Sequence, residues 1–123
     1  MEEKRTIVFS HISSLQPLQL VQYFLDSNYL EKWLCDSVKN DLENNCLYLT
    51  YGQDHFVKWQ IRGSSSNSIQ IHQIWMSEYE IDIDIEFSFK GNTTLVEVFL
   101  IGEISSEMEK EYHKDWSGLE KLP

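Results

Sequence analysis

The sequence predicts an α+β domain. A curved antiparallel sheet of about six or seven strands packs on a long C-terminal helix, with two short helices after the first strand. Three observations predict it. The eleven residues from Tyr79 to Phe89, YEIDIDIEFSF, alternate without exception between large apolar and polar side chains. Shorter alternations recur between Asp36 and Gly102. After Gly102 the apolar spacing changes to three and four, at Met108, Tyr112, Trp116, Leu119 and Leu122. A period of two marks a strand with one dry face; a period near 3.6 marks an amphipathic helix.

Ile7, Val8 and Phe9 make Glu3 to His11 a short first strand. Ser13 or Ser14 is placed to cap the helix that follows, since a hydroxyl accepts from an orphan backbone N–H. Pro17 falls in the first turn, where its missing donor costs little. Leu18, Val21, Phe24 and Leu25 form that helix's apolar stripe. Asp26-Ser27-Asn28 breaks it, and Ser27 or Asn28 caps a second short helix through Tyr29, Leu30, Trp33 and Leu34.

Strands then dominate. Asn40-Asp41 and Asn44-Asn45 are turn signals ahead of a strand at Cys46 to Tyr51. Phe56 to Arg62 alternates through Val57, Trp59 and Ile61, and Ser68 to Trp75 through Ile69, Ile71 and Trp75. Gly63 to Asn67 is the hairpin loop between them. The Tyr79–Phe89 strand runs roughly 36 Å at about 3.3 Å per residue, about twice the usual length, so it must bend around something. Gly91-Asn92 turns the chain and Thr94 to Ile101 returns it. Ser106 with Glu109 fits a capping box for the last helix. About 17 residues at 1.5 Å make that helix roughly 25 Å long.

The chain has 123 residues, a net charge of −10 and a pI near 4.7. One domain over residues 1–123 is the default for that length. An acidic surface repels phosphate backbones and anionic lipid, which argues against nucleic-acid and membrane-surface roles. The charged start, Met1 to Thr6, lacks the apolar core of a signal peptide, and no run is long enough to cross a bilayer. A cytoplasmic protein with reduced, packed Cys35 and Cys46 is expected.

Two segments carry a family resemblance. Leu20 to Leu34, VQYFLDSNYLEKWL in its main part, is similar to the helix, break and LxxW entry of the START-like, helix-grip (SRPBCC) superfamily. More narrowly it resembles the Hsp-90 ATPase activator homologue-like family, where Leu30-Glu31-Lys32-Trp33 is typical. Glu111 to Leu122, EYHKDWSGLEKL, resembles that family's closing helix, with His113, Trp116 and the Leu119/Leu122 pair in place. The strand order between them matches. The resemblance implies the helix-grip fold over nearly the whole chain. There are departures: Gly52 to Phe56 is compact, and the closing helix ends at Pro123 where relatives often continue. A shorter lid covers less of a cavity.

The strand alternation and the last helix's stripe aim the aromatics Trp59, Trp75, Tyr79, Phe87, Phe89, Tyr112 and Trp116 at one interior. Core filling accounts for most such side chains. Tyr and Trp also carry polar tips that need partners, and together with Gln73 they suit a pocket with an apolar wall and few polar anchors. Trp59, Trp75, Tyr79, Ile83, Phe87, Tyr112 and Trp116 are the candidate lining of a site for an apolar or amphipathic small molecule between sheet and final helix. The resemblance implies an alternative, a chaperone-associated interaction protein, and less readily a cyclase-like enzyme. A monomer or weak homodimer is expected.

No catalytic constellation, cofactor motif or metal spacing is visible. Glu80, Asp82, Asp84 and Glu86 stand roughly 6.5–7 Å apart along a strand, too far for neighbours alone to share a cation, and read as a solvated sheet face. His11, His55, His72 and His113 lack zinc-site spacing. No phosphate-binding glycine loop occurs.

Overall fold

The computed structural model describes residues 4–52, 55–75 and 78–123. The strands are β1 (Lys4–Ser13), β2 (Ser37–Asp41), β3 (Cys46–Tyr51), β4 (His55–Ser64), β5 (Ser68–Trp75), β6 (Tyr79–Lys90) and β7 (Thr93–Glu103). Helices α1 (Pro17–Leu25) and α2 (Ser27–Trp33) follow β1, and α3 (Ser106–Asp115) follows β7. The strands form one antiparallel sheet in the order β1-β7-β6-β5-β4-β3-β2. This is the predicted α+β architecture, with the expected hairpins and the long β6. Glu3 of the expected first strand, and part of the compact Gly52–Phe56 loop, lie outside the described residues.

Local chemistry differs from expectation at the helix starts. Ser13 does not cap α1; its hydroxyl bonds the Pro123 carbonyl and accepts from Leu15 N, tying the start of α1 to the chain's last residue. Gln16 is the N-cap, and its backbone N–H donates to Gln19 Oε1 at 3.0 Å. Pro17 sits in the first turn as its missing donor requires. Asp26, rather than Ser27 or Asn28, caps α2 by accepting from Asn28 N at 2.8 Å. Ser105, one residue before the expected Ser106, caps α3 by accepting from Met108 N.

The last helix is shorter than its apolar spacing predicts. It ends at Asp115, and Ser117–Lys121 continues as a 3-10 turn. Gly118 is central to this change. A Cβ there would stand 1.9 Å from the Trp33 carbonyl oxygen, so the turn's backbone lies directly on the end of α2. The 3-10 turn keeps Trp116, Leu119 and Leu122 buried on one side although the α-helix has stopped.

Of the six inward apolar positions of β6, four are buried: Ile81, Ile83, Ile85 and Phe87. Tyr79 and Phe89, at the two ends, are 40% and 50% exposed. The strand outruns the helices that cover it. Ile69, Ile71, Val96, Val98 and Leu100 from β5 and β7 complete the sheet's inner face. A register shift at Ile61/Gly63 between β4 and β5 adds local bend and twist.

Candidate functional site

The space between the middle of the sheet and the closing helix is filled. Trp116 stacks on Trp59 with ring centres 6.1 Å apart and planes 13° from parallel. It also lies 6.4 Å from Phe24 and 6.3 Å from Trp33. Trp59 Nε1 donates to Gln73 Oε1 at 2.8 Å, so the one polar atom of that indole is satisfied inside the core. Phe87 packs on Phe24 at 5.5 Å. Of the seven expected lining residues, Trp59, Ile83, Phe87, Tyr112 and Trp116 therefore belong to one buried cluster.

Trp75 and Tyr79 stand elsewhere. They face each other across the end of the β5–β6 pair, ring centres 5.4 Å apart, where α3 begins above the sheet. An open cleft of about 550 Å³ lies there, walled by Tyr51, His55, Trp75, Tyr79, Met108 and Glu111. Through Glu78, Tyr79, Glu107 and Met108 it joins a broader depression of about 850 Å³ that reaches Lys4, Asp82 and Glu103. The aromatic wall is continuous: His55 meets Trp75 edge-on at 4.6 Å and Tyr51 lies 5.3 Å from His55. Strand pairing explains the grouping, because Tyr51 opposes His55, Val57 opposes Trp75 and Trp75 opposes Tyr79.

Behind this wall is a buried polar pair. His55 Nε2 lies 2.8 Å from Asp115 Oδ2, and Asp115 is only 7% exposed. Burial raises the Asp115 carboxyl above the ordinary carboxylate range, and the His55 hydrogen bond partly offsets this. Tyr112 is pushed up to about 12, first by burial and then by the Asp115 charge. Tyr51 is driven well above the ordinary phenol value, again first by burial. Both phenols thus stay protonated near pH 7, Tyr51 in the cleft wall and Tyr112 in the core. Among the described residues, His55 Nδ1 and Trp75 Nε1 are buried without a hydrogen-bond partner.

Among the described lining residues of the smaller cleft there is no serine, threonine or cysteine. Burial pushes the Cys35 thiol up to about 12, with Glu31 and Asp36 adding to the effect, so it stays protonated and a poor nucleophile. Among the described residues no group of three or more His, Cys, Asp or Glu is placed to hold a metal ion. His113 is half exposed and packs edge-on against Phe9 at 5.1 Å, away from the cleft.

The carboxylate row of β6 lies on the outer face, and one histidine meets it. His72 Nε2 is 2.8 Å from Glu80 and Nδ1 is 2.9 Å from Asp82. Those hydrogen bonds, Glu80 first, raise the His72 pKa above its ordinary value.

Sequence spacing could not find the His55–Asp115 pair, whose members are sixty positions apart and in different elements. Tyr51 and His55 gave one weak signal, an aromatic flanking each side of the β3–β4 turn.

The architecture defines a class: the chain has the helix-grip fold of START-like proteins. No family model matches the sequence, and no curated protein matches it either. Solved structures do match. The chain is similar to CalU16 from Micromonospora echinospora at TM-score 0.73 and 19% identity, over 93% of this chain and 70% of that one. It is similar to the Aha1 dimer from Colwellia psychrerythraea at TM-score 0.75 and 10% identity, over 92% and 88%. It is also similar to DynU16, a protein of the dynemicin biosynthetic locus, at TM-score 0.71 and 8% identity, over 92% of this chain but 43% of that one. At these identities the likeness is one of fold. No helix of the described residues is long and apolar enough to cross a membrane.

Proposed function

We propose that this chain is a binding module for a small organic molecule with an apolar part, seated in the cleft between the β5–β6 end and the first turns of α3. The observation that carries the reading is the contrast in packing. The centre of the sheet–helix interface is closed by stacked indoles, while the Trp75–Tyr79 end leaves a concave space of about 550 Å³ with aromatic walls. A volume of that order suits a small ligand, and apolar walls with a few polar groups are what such sites use. Trp75 and Tyr79 then line the site directly, whereas Trp59, Ile83, Phe87, Tyr112 and Trp116 pack the closed part of the interior. Both cysteines are free and buried, which fits a reducing compartment such as the cytoplasm.

Native mass spectrometry of protein purified without added ligand tests this, followed by amide chemical-shift mapping with neutral 2-phenylethanol. Bound mass lost on denaturation, or shifts confined to Tyr51, His55, Trp75, Tyr79 and Met108, is the expected result. A bare mass together with no shift at those residues in the millimolar range would sink the reading.

A separate observation favours a second role, self-association. On the outer face Ile12 of edge strand β1 and its partner Leu95 of β7 are 67% and 37% exposed, and Val8 is 50% exposed. An exposed apolar edge strand is a natural pairing surface, and the similar protein from Colwellia is described as a dimer. Sedimentation velocity should then show a dimer that Ile12→Lys converts to monomer. A strictly monomeric wild type that stimulated a chaperone ATPase would instead support the chaperone-associated alternative.

A further inference from the structure

We infer that the ligand of the cleft carries a positive charge, as an alkylammonium or quaternary ammonium group held against the Trp75 and Tyr79 rings. This rests on the small-molecule reading above and narrows it to one chemical class.

Two features converge on that charge. The first is the wall. Trp75 and Tyr79 stand with ring centres 5.4 Å apart and planes tilted by 38°, so two adjacent aromatic rings line the cleft. Aromatic faces attract cations through their quadrupole, Trp most strongly, and the attraction grows as water is excluded.

The second is the rim. The cleft's ionisable lining residues other than His55 and the tyrosines are Glu78, Glu107 and Glu111, all carboxylates. Among the described residues no lysine or arginine lines it. Lys114 approaches Glu111 at 3.7 Å, but its side chain is 77% exposed and projects into solvent. The joined depression adds Glu80, Asp82 and Glu103 against Lys4 alone. An anionic or phosphate-bearing ligand entering by either mouth would meet like charge, and a concave site concentrates that field.

The test uses three probes that share one aryl tail: 2-phenylethyltrimethylammonium, neutral 2-phenylethanol and anionic 3-phenylpropionate. Each is titrated into the full chain and followed by amide chemical shifts, which report both affinity and location. The cation should bind at the Trp75–Tyr79 end at least tenfold more tightly than the alcohol, and the propionate more weakly than both. The preference should shrink as salt is raised from 20 to 300 mM, roughly as screening predicts. The triple variant Glu78→Gln/Glu107→Gln/Glu111→Gln lies outside the buried core, so its fold should persist. It should lose most of the cation's advantage over the alcohol. Equal or tighter binding of the alcohol in the wild type, at the same residues, would overturn the charge assignment and leave the small-molecule reading standing. Shifts away from the cleft, or none with any probe, would remove both. A cation preference untouched by the triple variant would also overturn the assignment, because the charge would then be sensed elsewhere.

Discussion

The two ends of the sheet's inner face are built from the same alternating pattern and come out opposite. At the Phe87 end, α1, α2 and the 3-10 turn converge, and Phe24, Trp33, Trp59 and Trp116 close the space ring against ring. At the Tyr79 end, among the described residues, only the first turns of α3 stand opposite the strands, and the cleft stays open. A large aromatic on the inward register is therefore core or wall according to what lies across from it. The side chain's own hydrophobicity does not decide.

The sharpest way to break that contrast is to truncate one aromatic at each end. Trp116→Ala should cost about 3–5 kcal/mol in chemical denaturation, because the indole is fully enclosed and its neighbours cannot collapse into the gap. Trp75→Ala, at a half-open wall, should cost less than half as much. Equal losses would mean that the cleft wall is core. Next in size is Gly118→Ala, which tests what closes the packed end. A methyl 1.9 Å from the Trp33 carbonyl oxygen forces the 3-10 turn off α2, at about 1–3 kcal/mol as overpacking goes. Its amide shifts should be confined to α2 and the last turn and spare Tyr79.

Asp115→Leu probes the seam between the two ends. It leaves His55 Nε2 buried without a partner, which should cost about 1–3 kcal/mol. Asp115→Asn should cost less, since an amide oxygen still accepts. If the two variants were equally destabilised, the hydrogen bond would not be what holds the seam.

The smallest effect belongs to His72, which braces the outer side of the open end against Glu80 and Asp82. Its pKa is raised in the folded state, so the folded protein binds this proton more tightly than the unfolded chain. The stability it adds is present in full below its ordinary value of 6.5 and is lost as pH rises through the raised value. His72→Gln should therefore lower stability at pH 5.5 and converge on wild type at alkaline pH. Solvent screening at this exposed site keeps the difference within about 1 kcal/mol. A difference that grew with pH would contradict the brace.

Much of the fold was legible because it rests on local periodicity. Period-two alternation marked β4, β5, β6 and β7, and the Gly63–Asn67 and Gly91-Asn92 turns separated them. The break at Asp26 placed the two short helices. The edge strand β2 was less visible, since Ser37, Val38, Lys39, Asn40 and Asp41 carry one apolar residue among them. The caps were displaced by one or two positions because neighbouring Ser, Asp and Asn residues compete for the same orphan N–H groups. The site was half legible: Trp75 and Tyr79 were singled out, but in company with five residues that the fold buries.

By itself the sequence determined strand, helix and turn, the inward face of each element, the acidic surface and the likeness to helix-grip proteins. These follow from neighbours two to four positions apart, or from simple sums of charge. Only the tertiary structure decided where the interior closes and where it stays open. It also brought His55 to Asp115, halted the last helix against the α2 backbone, and set the carboxylates of α3 above the Trp75–Tyr79 wall. The physical reason is that filling a cavity depends on the distance and angle between elements remote in the chain. Periodicity says which way a side chain points, and not what it meets there.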